Sequence, residues 1–281
     1  MLIKVYFLIM TILFSLTLKL HAETRSGKYF DRAIFVILEN TNYSEAEKQP
    51  FLKLLSNNGT HFSNFSAVTH PSQGNYVALT SASLNGVLSD GNYDLQVNNI
   101  VDLLESHNLT WKVYAEGYPG NCFTGSKKGK YVRKHNPFIS YVNVQKNLDR
   151  CKNIVEASQF DQDSTTGTLP NYVFYIPDLD NDGHDTSVSF ADKWYKQRFA
   201  PYLNNSQFMS NTILITTFDE SENLFDKNRI YTSIVGPAVK KINVEDNLNF
   251  YSLIKLIEEN WELGDLGKND VNAHPLPNIW L

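Results

Sequence analysis

The stretch RAIFVILEN (Arg32–Asn40) is a short apolar run that ends in a carboxylate and an amide. A run of this length, rich in branched and aromatic residues, is typical of a buried strand, and the polar residues after it are typical of a loop. The same pattern returns in NYVFYIPDL (Asn171–Leu179) and in NTILITTFDES (Asn211–Ser221). The fold therefore depends on what separates these strands.

Segments whose apolar residues have helical spacing lie between the strands. The predicted helices are PFLKLLSNNG (Pro50–Gly59), SQGNYVALTSAS (Ser72–Ser83), NNIVDLLESHN (Asn98–Asn108), SFADKWYKQRFAPYL (Ser189–Leu203) and LNFYSLIKLIEENW (Leu248–Trp261). The remaining predicted strands are HFSNFSAVT (His61–Thr69), TWKVYAEG (Thr110–Gly117) and RIYTSIVG (Arg229–Gly236). Only from Tyr118 to about Thr168 is the pattern lost. The alternation predicts a three-layer α/β/α sandwich with a mostly parallel central sheet.

Ligands of such sheets bind at the carboxyl ends of the strands. Polar or acidic residues follow four of the predicted strands at that end. They are Glu39 and Asn40, Ser72, the segment Asp178–Asp185, and Asp219 with Glu220. We therefore expect these four clusters to meet on one rim of the sheet.

Length and composition favour a single domain. The chain has 281 residues, of which 42% are hydrophobic, and no composition break or low-complexity linker divides it. Residues 1–22 form a separate unit, because Lys4 precedes an apolar run that ends near the small residue Ala22. This pattern predicts a secretory signal peptide, with a membrane anchor as the alternative, and a domain over residues 23–281.

Charge and residue usage point to an extracellular protein with a small-molecule ligand. The formal net charge is −5 and no basic patch stands out, which argues against nucleic acid as a partner. No second apolar run of membrane length follows residue 22, so we expect no stable membrane insertion; the oligomeric state stays open. Cys122 and Cys151 are expected to pair in an oxidising compartment. Sequons for N-glycosylation begin at Asn42, Asn58, Asn64, Asn108 and Asn204.

Two pairs of oxygen-bearing residues suggest a metal site. Asp219 and Glu220 are adjacent carboxylates after an apolar strand, and a hard divalent cation would offset their repulsion. Glu39 and Asn40 offer a carboxylate and an amide oxygen after another strand. The alternatives are a solvated strand end for the first pair and ordinary turn residues for the second.

Two loops carry histidines and cations. In PDLDNDGHD (Pro177–Asp185) the acidic spacing resembles an EF-hand, but the twelfth position is Ser189, so we reject a calcium loop. His184 is then a candidate general acid, with a surface turn as the alternative. In YVRKHNP (Tyr131–Pro137) three potential cations could contact a phosphate, or form a solvated basic stretch.

Ser72 opens a predicted helix directly after a His-Pro pair. Unsatisfied N–H groups and the helix dipole stabilise an anion there, so the hydroxyl is a candidate nucleophile if a metal activates it. No G-x-S-x-G motif is present, which leaves little support for an esterase. The alternative is that Ser72 merely caps the helix.

Five motifs in matching order resemble the secreted fungal acid phosphatases of the phosphoesterase family. The motifs are ENTNYS (39–44), AVTHPSQGNY (67–76), YVRKHNP (131–137), NDGHDTSVSFADKW (181–194) and TFDESE (217–222). The family also contains bacterial acid phosphatases and phospholipases C, and its fold is similar to that of the alkaline-phosphatase-like superfamily. The likeness covers nearly all of the chain after residue 22.

The resemblance implies a role for each matching residue. One divalent metal ion is implied, held by Glu39, Asn40, Ser72, Asp219 and Glu220. Ser72 matches the nucleophile, and His135 and His184 match histidines around the phosphate. We predict that one of these two histidines, as an imidazolium, protonates or hydrogen-bonds the leaving oxygen. The same motifs contain the residues that we predict to contact substrate, which are His70, Asn75, Lys134 and Asp185.

Together these features predict a secreted, metal-dependent acid phosphatase that hydrolyses phosphate monoesters through a phosphoserine. The ligand would be a small phosphate ester. A phosphodiesterase or phospholipase C with the same metal and serine is the first alternative. A secreted binding protein that has lost catalysis is the second.

Overall fold

The structure, a computed structural model, describes residues 25–224 and 227–281. The predicted signal peptide (residues 1–22) and the predicted start of the domain at residue 23 lie outside the described residues. Its strands are β1 (Arg32–Leu38), β2 (Thr60–Phe62), β3 (Phe65–Ser66), β4 (Trp111–Ala115), β5 (Lys127–Lys128), β6 (Tyr131–Val132), β7 (Ile154–Glu156), β8 (Tyr172–Ile176), β9 (Thr212–Phe218), β10 (Thr232–Val235), β11 (Asn243–Val244) and β12 (Leu248–Asn249). Its α-helices are α1 (Tyr43–Ala46), α2 (Pro50–Asn58), α3 (Ser72–Ser81), α4 (Ile100–Ser106), α5 (Val142–Gln145), α6 (Leu148–Cys151), α7 (Gln159–Thr166), α8 (Val188–Leu203), α9 (Ser206–Met209) and α10 (Phe250–Trp261), with 3₁₀ turns at Arg133–His135 and Phe138–Ser140.

One large sheet organises the molecule. Its strand order is β11-β2-β10-β9-β1-β8-β4-β7. The neighbours from β9 to β7 all run parallel, and β10 is antiparallel to both β9 and β2. This confirms the mostly parallel α/β architecture. The antiparallel strand β10 is the part of the predicted run RIYTSIVG (229–236) that pairs in the sheet.

Helices cover the sheet and close the core. Strands β8 and β9 are buried along their whole length, as expected of strands covered on both faces. Helix α2 packs against α8, and α3 packs against α10. Helix α3 is buried at every position, so it is held inside the protein rather than on its surface.

Two predicted segments differ from the structure. The predicted strand over residues 61–69 is divided into β2 and β3 by a turn at Ser63–Asn64, and the two halves join different sheets. The region from 118 to 168, which showed no pattern, contains several short elements. One of them, β7, forms the edge of the large sheet beside β4.

The predicted disulfide is present between Cys122 and Cys151. It links two parts of the region 118–168, in which the sequence showed no helix or strand pattern. Of the five predicted sequon asparagines, Asn58, Asn64, Asn108 and Asn204 are exposed, and Asn42 is half-buried. Across residues 25–224 and 227–281, no helix has both the length and the apolar character needed to cross a membrane.

Candidate active site

The register of the two central strands brings two carboxylates together. In the parallel pair β1 and β9, Leu38 lies opposite Phe218. The backbone N–H of Asp219 continues the ladder by donating to the carbonyl of Leu38 at 3.0 Å. Glu39 and Asp219 are therefore the first residues beyond two neighbouring strand ends, as the sequence predicted for their positions.

Helix α3 presents Ser72 to the same place. The Oγ atom of Ser72 lies 3.2 Å from Oε2 of Glu39 and 3.0 Å from Oε1 of Glu220. Pro71, not Ser72, occupies the N-cap position, and no side-chain hydrogen bond caps this helix within the described chain. The capping alternative for Ser72 is therefore wrong, because the hydroxyl faces the carboxylates.

The burial of the carboxylates and their lack of donors favour a bound cation. Asp219 is 1% exposed, and in the described part of the chain neither of its carboxylate oxygens has a hydrogen-bond partner. Burial raises the pKa of Asp219 well above its usual value, and the charges of Glu39 and Glu220 add to the effect. Buried carboxylates without donors are costly unless a cation neutralises them, so this donor set fits a divalent metal ion.

Tyr76 and His135 enclose the other side of Glu39. The Tyr76 hydroxyl donates to Oε1 of Glu39 at 2.7 Å, and Nε2 of His135 lies 3.0 Å from the same oxygen. The two rings stack with centroids 5.2 Å apart and planes 15° apart. Since Tyr76 is four residues after Ser72, one face of α3 contacts both oxygens of Glu39.

His135 is buried between two acids. Its Nδ1 atom lies 3.3 Å from Oδ2 of Asp182, although neither ring nitrogen makes an aligned hydrogen bond to a described residue. Burial lowers the pKa of His135 to about 4, against the opposing effect of Glu39. His135 is 1% exposed, so its ring supports Glu39 rather than facing the solvent.

Asp182 completes a second group of possible ligands. One ligand atom each from Glu39, His135 and Asp182 lies within 4.8 Å of the others, so these residues too could share a cation. Burial raises the pKa of Asp182 to about 8. Glu39 belongs to both groups of ligands.

His184 lies at the rim of the site. Its side chain is 36% exposed, and its Nδ1 atom lies 2.9 Å from Oδ1 of Asp185. The His135 and His184 ring centroids are 6.0 Å apart, so the exposed ring lies just outside the buried one. Asp185 also accepts from Lys130 at 2.9 Å, and these contacts lower its pKa to about 2. Asp185 is therefore an ion-paired rim residue.

Besides His135, the basic stretch at 133–135 contains two cations, Arg133 and Lys134, and they have different roles. The buried Arg133 guanidinium donates to the carbonyl of Thr124 at 2.7 Å and to Asp94 at 2.7 Å, so it ties loops together. The Lys134 ammonium donates to Asp90 at 2.9 Å. Burial lowers the pKa of Lys134, but Asp90 and the nearby Glu39 outweigh burial and raise it overall.

Three other predicted site residues have different surroundings. Nδ1 of His70 makes a close contact with Oε2 of Glu220, which places His70 at the carboxylate cluster. The amide of Asn75 accepts from the N–H groups of Val68 and Thr69, both at 3.0 Å, and so holds the loop before α3. Asn40 is exposed next to Glu39.

The sequence analysis did not single out Tyr76 or Asp182. Tyr76 has the spacing of a core residue of α3, and no local pattern distinguishes a tyrosine that faces a carboxylate from one that faces apolar residues. Asp182 was part of the predicted acidic segment Asp178–Asp185 without a role of its own. Its position among several acids in one loop gave no sign of which acid is buried.

Several known proteins are similar to this chain in sequence. It is 36% identical to a probable acid phosphatase of Kluyveromyces lactis, with 89% of this chain and 62% of that protein covered. It is 35% identical to an acid phosphatase of Aspergillus fumigatus, with 89% and 59% covered. It is 29% identical to a phosphatidylinositol-3-phosphatase of Mycobacterium tuberculosis, with 89% and 83% covered. The chain thus spans about 60% of the length of the fungal relatives it matches.

Solved structures agree on the fold. A protein of the alkaline phosphatase superfamily from Vibrio parahaemolyticus superposes with a TM-score of 0.61 at 14% identity, over 90% of this chain and 72% of that one. A phosphonate monoester hydrolase from Silicibacter pomeroyi superposes with a TM-score of 0.56 at 11% identity, over 89% and 78%. The profile of the Phosphoesterase family matches residues 26–264, which include every residue of the site described above, and the chain belongs to that family.

Proposed function

We propose that this protein is a metal-dependent acid phosphatase that hydrolyses phosphate monoesters through a phosphoserine at Ser72. The observation that carries the proposal is the position of the Ser72 hydroxyl, 3.2 Å from Glu39 and 3.0 Å from Glu220, beside the unpartnered carboxylate of Asp219. The fungal relatives named acid phosphatases support the same activity.

One divalent ion would be held by the oxygens of Glu39, Asp219, Glu220 and Ser72, with Asn40 beside them. When bound, such an ion neutralises the carboxylates, favours the ionised serine and draws in the negative phosphoryl group. The buried oxygens of Asp219, which make no aligned hydrogen bond to a described residue, support this assignment. Carboxylate and hydroxyl oxygens favour a hard ion over zinc.

Ser72 acts as the nucleophile. Its Oγ forms a bond to phosphorus as the bond to the leaving oxygen breaks, and the proton of the hydroxyl passes to one of the two carboxylates that it faces. Helix α3 starts at Ser72, so its N-terminal N–H groups add positive potential where charge develops. A water molecule then attacks the phosphoserine, which releases phosphate and restores the hydroxyl.

His184 is the general acid of this proposal. It is exposed at the rim and can face the leaving oxygen, whereas His135 is buried behind Glu39. By sequence either histidine could take this role, and the difference in exposure favours His184. The fungal relatives are named acid phosphatases, so we expect higher activity at mildly acidic pH.

A lipid phosphomonoester is the second candidate substrate. The M. tuberculosis relative is named a phosphatidylinositol-3-phosphatase, and this chain covers 83% of it. The chemistry at Ser72 would be the same, because that substrate is also a phosphate monoester. This substrate is compatible with the exposed rim at His184.

We also propose that the protein is secreted. The signal-peptide pattern in residues 1–22, the disulfide Cys122–Cys151 and four exposed sequon asparagines support an oxidising, extracellular location. Mass measurement of the secreted protein, before and after enzymatic removal of N-glycans, would test cleavage of the signal peptide and glycosylation of the sequon asparagines.

Activity against a panel of esters tests the proposed function. The panel contains p-nitrophenyl phosphate, its bis ester, phosphatidylinositol-3-phosphate and phosphatidylcholine, each at about pH 5 and about pH 9. We expect the monoesters to be hydrolysed faster than the diesters, with higher kcat/KM at the lower pH. Chelation should remove the activity and metal add-back should restore it.

Ser72→Ala tests the nucleophile. We expect kcat to fall by at least about 1,000-fold with an unchanged fold, because no other group replaces the attacking oxygen. Ser66→Ala is the matched control, since Ser66 lies in β3, where it pairs with Asn249 of β12. Unchanged hydrolysis by purified Ser72→Ala would contradict the proposed mechanism.

A further inference from the structure

Asp182 connects three parts of the site. Its carbonyl accepts the backbone N–H of Glu39 at 3.0 Å. Its Oδ1 atom accepts the backbone N–H of His184 at 2.8 Å. Its Oδ2 atom lies 3.3 Å from Nδ1 of His135. One buried residue therefore contacts a predicted metal ligand and both histidines of the site.

We infer that Asp182 is a positioning residue that orients the His135 ring against Glu39 and holds the His184 loop at the rim. This inference rests on the proposed phosphatase function. In this inference Asp182 contacts neither the substrate nor the ion held by Glu39, Asp219, Glu220 and Ser72, and it acts on His135 instead of sharing a cation with it.

The geometry around His135 shows why a second acid is needed. Stacking on Tyr76, with planes 15° apart, fixes the plane of the imidazole ring but leaves rotation within that plane free. Glu39 faces one ring nitrogen and Asp182 faces the other. Acids at opposite sides of the ring set its rotation, as carboxylates commonly do for histidines that support a metal site.

The second oxygen of Asp182 acts on His184 through the backbone. The turn Asp182–His184 is closed by the N–H of His184, and Gly183 within it has φ +103°, which a side chain would strain. The N–H of Asp182 donates in turn to the carbonyl of Asp178 at 2.8 Å. The carboxylate therefore fixes where the His184 side chain begins.

Asp182→Asn and Asp182→Ala separate the two contacts. Asparagine keeps an oxygen that can accept the His184 N–H but loses the charge opposite His135, whereas alanine loses both. We expect kcat to fall about 10–100-fold in Asp182→Asn and further in Asp182→Ala, with KM within about threefold in Asp182→Asn. Asp180→Asn is the matched control, because Asp180 is half-buried in the same loop and its carboxylate pairs with Lys130.

A double-mutant cycle tests whether Asp182 acts through His135. In a His135→Gln background, Asp182→Asn should cost less than about threefold in kcat, because its target is gone. The ¹⁵N chemical shifts of the His135 ring provide a readout that needs no activity. They should change in Asp182→Asn and stay unchanged in Asp180→Asn, with the His135→Gln spectrum giving the assignment.

Three outcomes would overturn the inference. They are a kcat for Asp182→Asn within about threefold of wild type, an equal loss in both backgrounds, and a fall in bound metal per protein that makes Asp182 a ligand. If Asp182→Ala does not fold, Asp182→Asn carries the test alone. A wild-type protein that hydrolyses no ester contradicts the proposed function instead, and the His135 spectra then decide the positioning role.

Discussion

Two of the regions that bury carboxyl groups in the described part of this protein neutralise them differently. The proposed catalytic cluster, called the catalytic cluster below, consists of Glu39, Asp219 and Glu220 at the carboxyl ends of β1 and β9. The C-terminal pair consists of Glu258 on α10 and Asp270 in the segment after it. All five side chains are at least nine-tenths buried, so burial alone does not distinguish the two regions.

Donors to Asp270 and a proton on Glu258 distinguish them, since Oε1 of Glu258 also lacks a hydrogen-bond partner among the described residues. Asp270 accepts the backbone N–H of Lys268 at 2.8 Å and makes a close contact with that of Leu266. Burial, followed by the charge of Asp270, raises the pKa of Glu258 to about 9. Glu258 is therefore protonated at neutral pH, and a proton neutralises the C-terminal pair.

The catalytic cluster has three carboxyl groups and too few donors for them. The Ser72 hydroxyl has one hydrogen for two carboxylates, and Asp219 has no hydrogen-bond partner among the residues described. A buried acid pair is thus not by itself a metal site. The lack of a partner at both oxygens of Asp219, beside two further acids, is what favours a cation.

Asp219→Asn is expected to have the largest effect on this comparison. It removes a carboxylate from the catalytic cluster, so kcat/KM should fall at least about 100-fold. The metal-free protein should instead become more stable, with Tm higher by about 2–4 °C, because a buried negative charge is gone. Calorimetry with and without chelator checks this, with the exposed Asp246→Asn as control. A lower Tm for the metal-free variant would contradict a cluster that lacks its cation.

Tyr76→Phe sharpens the comparison within the catalytic cluster. It removes the hydroxyl that donates to Glu39 at 2.7 Å, so kcat should fall about tenfold and stability by about 1 kcal/mol. Tyr141→Phe is the control, because the Tyr141 hydroxyl is buried 2.6 Å from that of Thr80 on the same helix. We expect Tyr141→Phe to lose about as much stability as Tyr76→Phe while its kcat stays unchanged. Equal kcat values for the two variants would show that Tyr76 only stabilises the fold.

Glu258→Gln tests the C-terminal pair and should have the smallest effect. The pKa of Glu258 is about 9 in the folded state against an ordinary 4.5, so the native state binds more protons between these pH values. Wild-type stability should therefore fall as pH rises through this window. Glutamine removes the dependence, and Tm at about pH 8 should rise by about 2–4 °C, with little change at about pH 5.

The neighbouring Glu259→Gln is the matched control for that experiment, since Glu259 is exposed on the same helix. If the stabilities of wild type and Glu258→Gln change with pH in the same way, Glu258 does not hold a proton in the folded protein at neutral pH. Chelation should leave the Tm difference between wild type and Glu258→Gln unchanged, because the proposed metal ion belongs to the catalytic cluster.

The strands of the sheet could be predicted because each is a short apolar run. Buried parallel strands show this pattern most clearly, and β1, β8 and β9 all have it. The acids that follow them were predicted to meet because parallel strands end on one edge. By contrast, β7 is three residues long, and its place at the sheet edge depends on β4, which is distant in the chain.

The inner part of the site could not be predicted in the same way. His135 looked like one of three cations on a basic loop, and its burial results from Tyr76 and Asp182, which come from other elements. The C-terminal pair could not be predicted from the sequence for a similar reason. Glu258 lies on the inner face of an amphipathic helix, and only the returning chain brings Asp270 to it.

The pairing of Leu38 with Phe218 has a consequence for how this site can change over evolution. The spacing of Glu39 and Asp219 is set by the distance between adjacent strands, about 4.8 Å, and not by the loops beyond them. Loops after the strands can lengthen or diverge while the two acids stay in place. One inserted residue within β1 or β9 would turn an acid to the opposite face, so the backbone ladder protects the spacing while the rim is free to adapt to new substrates.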